Sequence, residues 1–195
     1  MACLNQYAPF TAKVFAALPK LKLIARYGVG VDNIDLQAAT AHGVQVCNVP
    51  DYGTQEVAAQ ALALMMELIR KPGQASVEVK AGYWDYARYA PIPRISTLTV
   101  GIIGLGRIGS AFAKIAHALG CQVVAYDIEL EHIKADSTLD FVELLSFDEV
   151  LAQADVLSLH CDLNADTLGL MNAHTFAKMK PGAWFINVAR GGLVK

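Results

Sequence analysis

The chain has 195 residues, 54% of them hydrophobic and 17% charged, with a formal net charge of −2. That is enough for one full globular domain and part of another, and it carries no basic patch or motif for nucleic acid. No charged n-region with an apolar core opens the chain, and its longest apolar stretch, Val57 to Ile69, is interrupted by Gln60 and Glu67, so neither a secretion signal nor a membrane span is expected.

In chain order, Ala2 to Tyr7 reads as a short strand, and Thr11 as the cap of a helix that Pro19 ends at about Leu18. Leu21 to Ala25 is a second strand, followed by Arg26 to Asp35. Asp35 is placed to cap a helix to about His42, and Val44 to Cys47 is a third strand. These first 48 residues look like small αβ units, too few to bury a core alone. Thr54 to Arg70 reads as a long helix. Ala58, Ala61, Leu62, Met65 and Ile69 share a face, yet Leu64, Met66 and Leu68 are apolar too. Such a helix packs between domains, across a subunit interface, or in the centre of a core. Pro72-Gly73 breaks it, and a second helix runs to about Ala81. Tyr83 to Ser96 is an aromatic, proline-bearing loop.

From Val100 to Asp127 the pattern is strand, tight glycine turn, helix, strand, acid. Gly104 lets the chain turn off the strand. Gly106 lets a pyrophosphate approach the backbone, and Gly109 lets the helix pack close. The amides of Arg107 and Ile108 then sit at a helix N-terminus, where an anion is favoured. Ile108, Phe112, Ile115, Ala116 and Leu119 form the expected buried face of that helix. Asp127 lies 23 residues after Gly104, close to the usual spacing of about 20 for an acid that accepts ribose hydroxyls. It would repel a 2′-phosphate, and Ile128 and Glu129 bring no cation to offset it, so the cofactor expected is NAD rather than NADP. The alternative is a glycine-rich turn with no ligand.

Beyond Asp127, Val142 to Leu145 reads as a strand, Phe147 to Gln153 as a helix capped by Ser146, and Val156 to His160 as a strand. Ala173 to Met179 is the next helix and Trp184 to Val188 the next strand. This alternation implies an α/β fold with a doubly wound parallel sheet, Rossmann-like, whose ligands bind beyond the carboxyl ends of the strands. Gly104 to Gly109, Asp127, His160 to Asp162 and Ala189-Arg190 all fall at such ends. Cys3, Cys47, Cys121 and Cys161 form no CxxC pair, and three of them sit in or beside apolar strands. The plain reading is buried thiols in a reducing cytosol. His42, His117, His132, His160 and His174 are scattered, so no metal is expected.

With these residues in view, the chain resembles the D-isomer-specific 2-hydroxyacid dehydrogenase family, which includes phosphoglycerate dehydrogenases, glyoxylate reductases and the C-terminal-binding corepressors. The resemblance rests on RYGVGVDNID (Arg26 to Asp35), NVPDYGTQEVA (Asn48 to Ala58), the GLGRIG turn, ADVLSLH (Ala154 to His160) and KMKPGAWFINVARGGLV (Lys178 to Val194). It implies residues 1–48 as part of a smaller, flavodoxin-like substrate domain. Residues 49–195 become an NAD-binding domain, with helix 54–70 at an interdomain or dimer contact. By the same resemblance, the Val29 and Gly30 amides hold a substrate carboxylate. Thr54, His160, Thr167, Asn187 and Ala189 lie against the cofactor, a role for Thr54 that is compatible with capping its helix. Arg190 is the catalytic arginine, and its alternative is a surface arginine after a strand. The implied reaction is hydride transfer between the nicotinamide and C2 of a 2-keto acid, reversibly giving a D-2-hydroxy acid, in a cytoplasmic homodimer.

Two positions depart from the family pattern: Ala59 stands where an acid is usual, and Asp162 where a proline is usual. The resemblance also puts the family's acid–base histidine and its partner glutamate downstream of the arginine, beyond Lys195, and a further strand and helix before Met1. The chain as written is therefore expected to bind cofactor poorly at best and to turn over little. An alternative of another class is an NAD(H)-sensing, corepressor-like binding protein, and a third is a remnant without activity.

Overall fold

Alternating strands and helices fold here into two all-parallel sheets, one in each of two units, Met1–Gly53 and Thr54–Lys195. The computed structural model describes residues 1–129, 133 and 136–195.

The first unit contains β1 (Ala2–Asn5), α1 (Ala12–Ala17), β2 (Leu23–Arg26), α2 (Leu36–Ala41) and β3 (Gln45–Cys47), with strand order β1-β2-β3. β1 ends two residues before the expected Tyr7 because the Asn5 side chain donates to the Ala8 carbonyl at 3.1 Å and turns the chain. Thr11 precedes α1 in an extended conformation, but its side chain makes no capping bond. Asp35 does cap α2, accepting from the Ala38 amide at 2.8 Å. Phe10, Phe15, Leu21, Ile24, Ile34, Ala38, Ala39 and Val44 form a buried cluster of their own. Residues 1–48, expected to be too few to bury a core alone, form this cluster within the chain, with the Phe10 and Phe15 ring centroids 5.9 Å apart.

The second unit runs α3 (Thr54–Arg70), α4 (Pro72–Lys80), β4 (Thr99–Ile103), α5 (Arg107–Ala118), β5 (Gln122–Tyr126), β6 (Val142–Leu144), α6 (Phe147–Gln153), β7 (Val156–Leu159), α7 (Ala173–Phe176) and β8 (Trp184–Asn187). Its strand order is β6-β5-β4-β7-β8. The chain leaves β4 to one side through β5 and β6, then returns to the other side through β7 and β8. That reversal makes the carboxyl ends of β4 and β7 the switch point of a doubly wound sheet.

Period-2 alternation along β4 divides the core. Val100 and Ile102 face α3 and α5, packing with Ala58, Ala61, Met65, Phe112 and Ala116. Ile103 faces the other way, with Val150, Leu151, Leu157 and Leu159. Gly101 shares that second face: a Cβ there would stand 2.7 Å from the Ala154 Cβ and 2.9 Å from Val150 Cγ1, so α6 lies tight on the strand. One face of α3 packs into the core of this unit. Ala58, Ala61, Met65 and Ile69 are fully buried, while Leu64 is partly exposed. The face expected for α5 needs correction. Gly109, Phe112, Ala113 and Ala116 are buried, whereas Leu119 is a half-exposed cap. Small residues let the helix approach the sheet closely, and that rotates Leu119 outward.

α6 is opened by a capping box, with the Ser146 amide donating to Glu149 at 2.9 Å. α7 stops at Phe176, short of the expected Met179, because Lys178 and Met179 bond back three residues, to Thr175 and Phe176. The Tyr83–Ser96 loop carries short 3₁₀ turns at Tyr86–Tyr89 and Ile95–Thr97. The Tyr89 hydroxyl donates to Glu78 at 2.8 Å and Lys71 donates to the Tyr89 carbonyl at 3.1 Å, leaving Trp84 and Tyr86 outward. All four cysteines are free, but only Cys121 is buried. Cys47 is exposed on the edge strand β3, which corrects the expectation of generally buried thiols.

Leu157, fully buried on the interior strand β7, sets the scale of the core. Leu157→Ala is expected to lower stability by about 2–5 kcal/mol, and Ser146→Ala by about 1 kcal/mol. Urea denaturation followed by far-UV circular dichroism measures both.

Candidate functional site

At the carboxyl end of β4 the backbone turns through Gly104 with φ 91°. A Cβ there would stand 2.5 Å from the Cys161 amide nitrogen and 2.8 Å from the His160 carbonyl carbon, so only glycine lets the ends of β4 and β7 meet. A Cβ on Gly109 would collide with the Gly104 carbonyl oxygen. Gly106 differs: nothing lies within 4 Å of where its Cβ would be, and as N-cap of α5 it offers no side chain to the first-turn amides. Arg107 and Ile108 open that 12-residue helix. The turn therefore combines donors without side-chain caps, the positive end of a helix and open space above a bare Cα, which is what a pyrophosphate requires.

Asp127, just after β5, is tied into the same turn. One carboxylate oxygen accepts from the Leu105 amide at 2.6 Å and the other from the Glu129 amide at 2.9 Å. A carboxylate has about four acceptor sites, so each oxygen keeps one for a ribose hydroxyl. Sequence reasoning missed the Leu105 bond, because no local pattern marks it. His160 follows β7. Its Nε2 pairs with the Ser158 hydroxyl at 2.9 Å and its ring rests on Phe112, centroids 5.3 Å apart. Its Nδ1 is buried with no partner among the described residues. Burial pushes its pKa down to about 4, so the imidazole is neutral. Ser158 was also missed, although its place two residues back on the strand puts it on the same face. Burial, then the charges of Asp162 and Asp127, raise the Cys161 thiol, which therefore stays protonated.

Thr167 donates its hydroxyl to the Asp162 carbonyl at 2.6 Å, closing the turn after Cys161. At the end of β8, Asn187 folds the chain back. Its side chain accepts from the Ala189 amide at 3.0 Å and donates to the Arg190 carbonyl at 2.9 Å. Arg190 Nη1 donates to the Ala189 carbonyl at 3.0 Å. Thr54 is the first residue of α3. The structure thus joins Gly104 to Gly109, Asp127 and His160 directly, and puts the Asn187–Arg190 turn on the next strand of the same sheet edge.

Val29 and Gly30 belong to the first unit. The Gly28 carbonyl accepts from the Val49 amide at 3.1 Å, and the Val29 carbonyl from Asn48 Nδ2 at 2.8 Å. In a trans peptide the N–H points opposite to the carbonyl. Both carbonyls are drawn toward residues 48–49, so the Val29 and Gly30 amides both point away from that segment. Neither bonds to protein among the described residues. Two successive amides turned the same way are available as donors to an anion. Asn48 was not foreseen in this role.

Among the described residues no three His, Cys, Asp or Glu side chains gather as a metal site, and no helix is long and apolar enough to cross a membrane. His132, one of the five histidines weighed above, lies outside the described residues.

Residues 62–195 match the family model described as D-isomer specific 2-hydroxyacid dehydrogenase, NAD binding domain. Over 183 residues, 94% of this chain, the sequence is 43% identical to a D-3-phosphoglycerate dehydrogenase of Mycobacterium leprae, of which it covers 34%. The chain thus spans about a third of the length of such a relative. Among solved structures, D-lactate dehydrogenase from Aquifex aeolicus, complexed with NAD and lactic acid, matches all of this chain with a TM-score of 0.93 at 30% identity, 58% of that chain being covered. An acyclic imino acid reductase in complex with NADPH and D-Arg gives 0.90 at 27%, with 100% and 61% covered.

Two glycines separate shape from chemistry. Gly106→Ala is expected to melt within a few degrees of the parent yet lose NADH affinity by roughly tenfold or more, whereas Gly109→Ala should be destabilised outright. Thermal melts with isothermal titration calorimetry tell them apart. His160 also predicts a pH dependence. Its folded-state pKa of about 4 lies below the ordinary 6.5, so its contribution is fully present above pH 6.5 and is lost as pH falls toward 4. The gap corresponds to roughly 3 kcal/mol, and urea titrations from pH 7 to 4 should show a shallower decline in His160→Leu.

Proposed function

This chain belongs to the D-isomer specific 2-hydroxyacid dehydrogenase family, and we propose that it forms the NAD-binding and carboxylate-binding parts of an NAD-dependent dehydrogenase. The reaction is hydride transfer to or from C2 of a small D-2-hydroxy acid or its 2-keto partner. The observation that carries this reading is the glycine turn over the uncapped start of α5, tied to Asp127 through the Leu105 amide.

The residues fit the nucleotide. Gly106, Arg107 and Ile108 hold the pyrophosphate by their backbone, and Asp127 accepts the ribose hydroxyls. A 2′-phosphate would meet the Asp127 charge, so NAD is the cofactor even though a structural relative carries NADPH. When bound, NAD supplies the nicotinamide carbon that takes or gives the hydride. His160 packs beneath the turn as a neutral imidazole, and Thr54, Thr167, Asn187 and Ala189 complete the cofactor side. Arg190, held at its carbonyl by Asn187, grips the substrate carboxylate and polarises the carbonyl that becomes the hydroxyl. The Val29 and Gly30 amides of the first unit are donors suited to a carboxylate. The relatives named above are dehydrogenases and a reductase, which favours this reading over the nucleotide-sensing corepressor.

The assembly proposed is a homodimer. Support comes from the loop whose Trp84 and Tyr86 are 87% and 88% exposed while Tyr89 is pinned beneath them. Four free thiols fit a cytoplasmic site.

Calorimetric titration with NADH and NADPH tests the cofactor reading. NADH should bind roughly tenfold or more tightly than NADPH, and Asp127→Asn should narrow that ratio. Preference for NADPH would overturn it. In the protein from its native source, Arg190→Ala should lower kcat/KM for 2-keto acid reduction by roughly 10²–10³-fold. An unchanged rate would remove Arg190 from the reaction.

A further inference from the structure

We propose that Asp162 is a second determinant of cofactor choice: with Asp127 it brackets the Gly104–Leu105 corner with negative charge and turns away a dinucleotide that carries a 2′-phosphate. This rests on the NAD reading given above and adds a residue to it.

The sheet puts the two acids on opposite sides of β4. In the strand order β6-β5-β4-β7-β8, Asp127 follows β5 directly and Asp162 lies three residues beyond the end of β7. Strands two places apart in a sheet are separated by about 10 Å. Both acids attach to the corner that stands between them. Asp127 accepts from the Leu105 amide at 2.6 Å. Asp162 is bonded to Cys161, whose amide nitrogen and Cα would stand 2.5 and 2.8 Å from a Cβ on Gly104. The Cys161 thiol lies in the field of both carboxylates, that of Asp162 the stronger. One space is thus charged from two directions. A phosphate on the ribose whose hydroxyls Asp127 accepts would bring roughly two more negative charges into it.

The Asp162 carboxylate is not needed to hold its own loop. The Thr167 hydroxyl donates to the Asp162 carbonyl at 2.6 Å, and the Asn164 side chain accepts from the Asp166 and Thr167 amides at 2.9 and 3.0 Å. Leu163 packs with Leu157 and Leu159, and its Cδ2 stands 3.0 Å from where a Cβ on Gly192 would be. Asp162 itself is exposed. Its side chain makes no hydrogen bond or ion pair among the described residues. At the position where proline is usual, aspartate therefore supplies charge without taking over any packing. An exposed charge still acts over about 8–10 Å before salt screens it. The pyrophosphate is common to NAD and NADP, so its repulsion by Asp162 cancels from the ratio of their affinities. The 2′-phosphate does not cancel.

The test uses the adenosine end without the nicotinamide. ADP-ribose and 2′-phospho-ADP-ribose are titrated calorimetrically into the chain. Asp162→Asn should tighten 2′-phospho-ADP-ribose by roughly three- to tenfold, and ADP-ribose by about twofold at most. Asp162→Ala should do the same, whereas Asp162→Glu should keep the parent's ratio. Asp127→Asn alone should leave a residual preference for ADP-ribose, which the double variant with Asp162→Asn loses. The difference between the parent and Asp162→Asn should close as salt rises toward roughly 0.5 M. An unchanged ratio in Asp162→Asn, or complete loss of the preference in Asp127→Asn alone, would overturn the role of Asp162 and leave the NAD reading standing. If ADP-ribose does not bind the parent at all, the cofactor reading and the role of Asp162 fall together.

Discussion

The nucleotide edge depends on how closely β4 and β7 approach each other at Gly104. The two strands are hydrogen-bonded along their length. At the end of that ladder the turning residue must pass over the His160–Cys161 backbone with no room for a Cβ. Everything else follows from that crossing. Leu105 is swung to where its amide meets Asp127, Gly106 becomes the head of α5, and Gly109 seats the helix on the turn. The anion site is thus built from backbone, and its precision comes from sterics rather than from side chains that would have to be held still.

The first unit presents its free amides differently. It has no long helix to point at an anion; α2 is six residues long. It orients peptide planes instead. Two carbonyls are committed to Val49 and Asn48, and planarity turns the matching amides the other way. Such an arrangement is cheap in residues but fragile, because each plane is free to rotate unless its carbonyl is held. That explains the density of side-chain-to-backbone bonds from Asn5, Asn33 and Asn48 around a short stretch of chain.

Much of the fold was legible in the sequence where local chemistry decides it. Thr54–Arg70 and Phe147–Gln153 have the expected limits because a proline follows one and a capping box opens the other. The glycine turn was legible because each of its glycines answers a separate steric demand. What could not be read depends on how elements pack in three dimensions rather than on local pattern. The buried face of α5 is set by the approach of Gly109 to Gly104, not by the periodicity of its larger apolar residues. The small core of the first unit needs Phe10 and Phe15 to meet across a loop and a helix. Asp127 was expected to accept ribose hydroxyls from its spacing, but its hold on Leu105 spans 22 residues, and no spacing announces it. Asn48 reads as part of a chain break after a strand, and only the folded turn shows what its amide holds.

His160 and Cys161 stand side by side beneath the nucleotide turn, and burial moves both titrations away from neutrality, the imidazole downward and the thiol upward. This part of the pocket wall consequently keeps one charge state across the physiological pH range. It behaves as an inert dielectric surface, neither buffering nor gating the nucleotide. Any curvature in a pH profile near neutrality must then arise from other groups, and the two side chains whose ordinary pKa values most invite such an assignment are the ones to set aside.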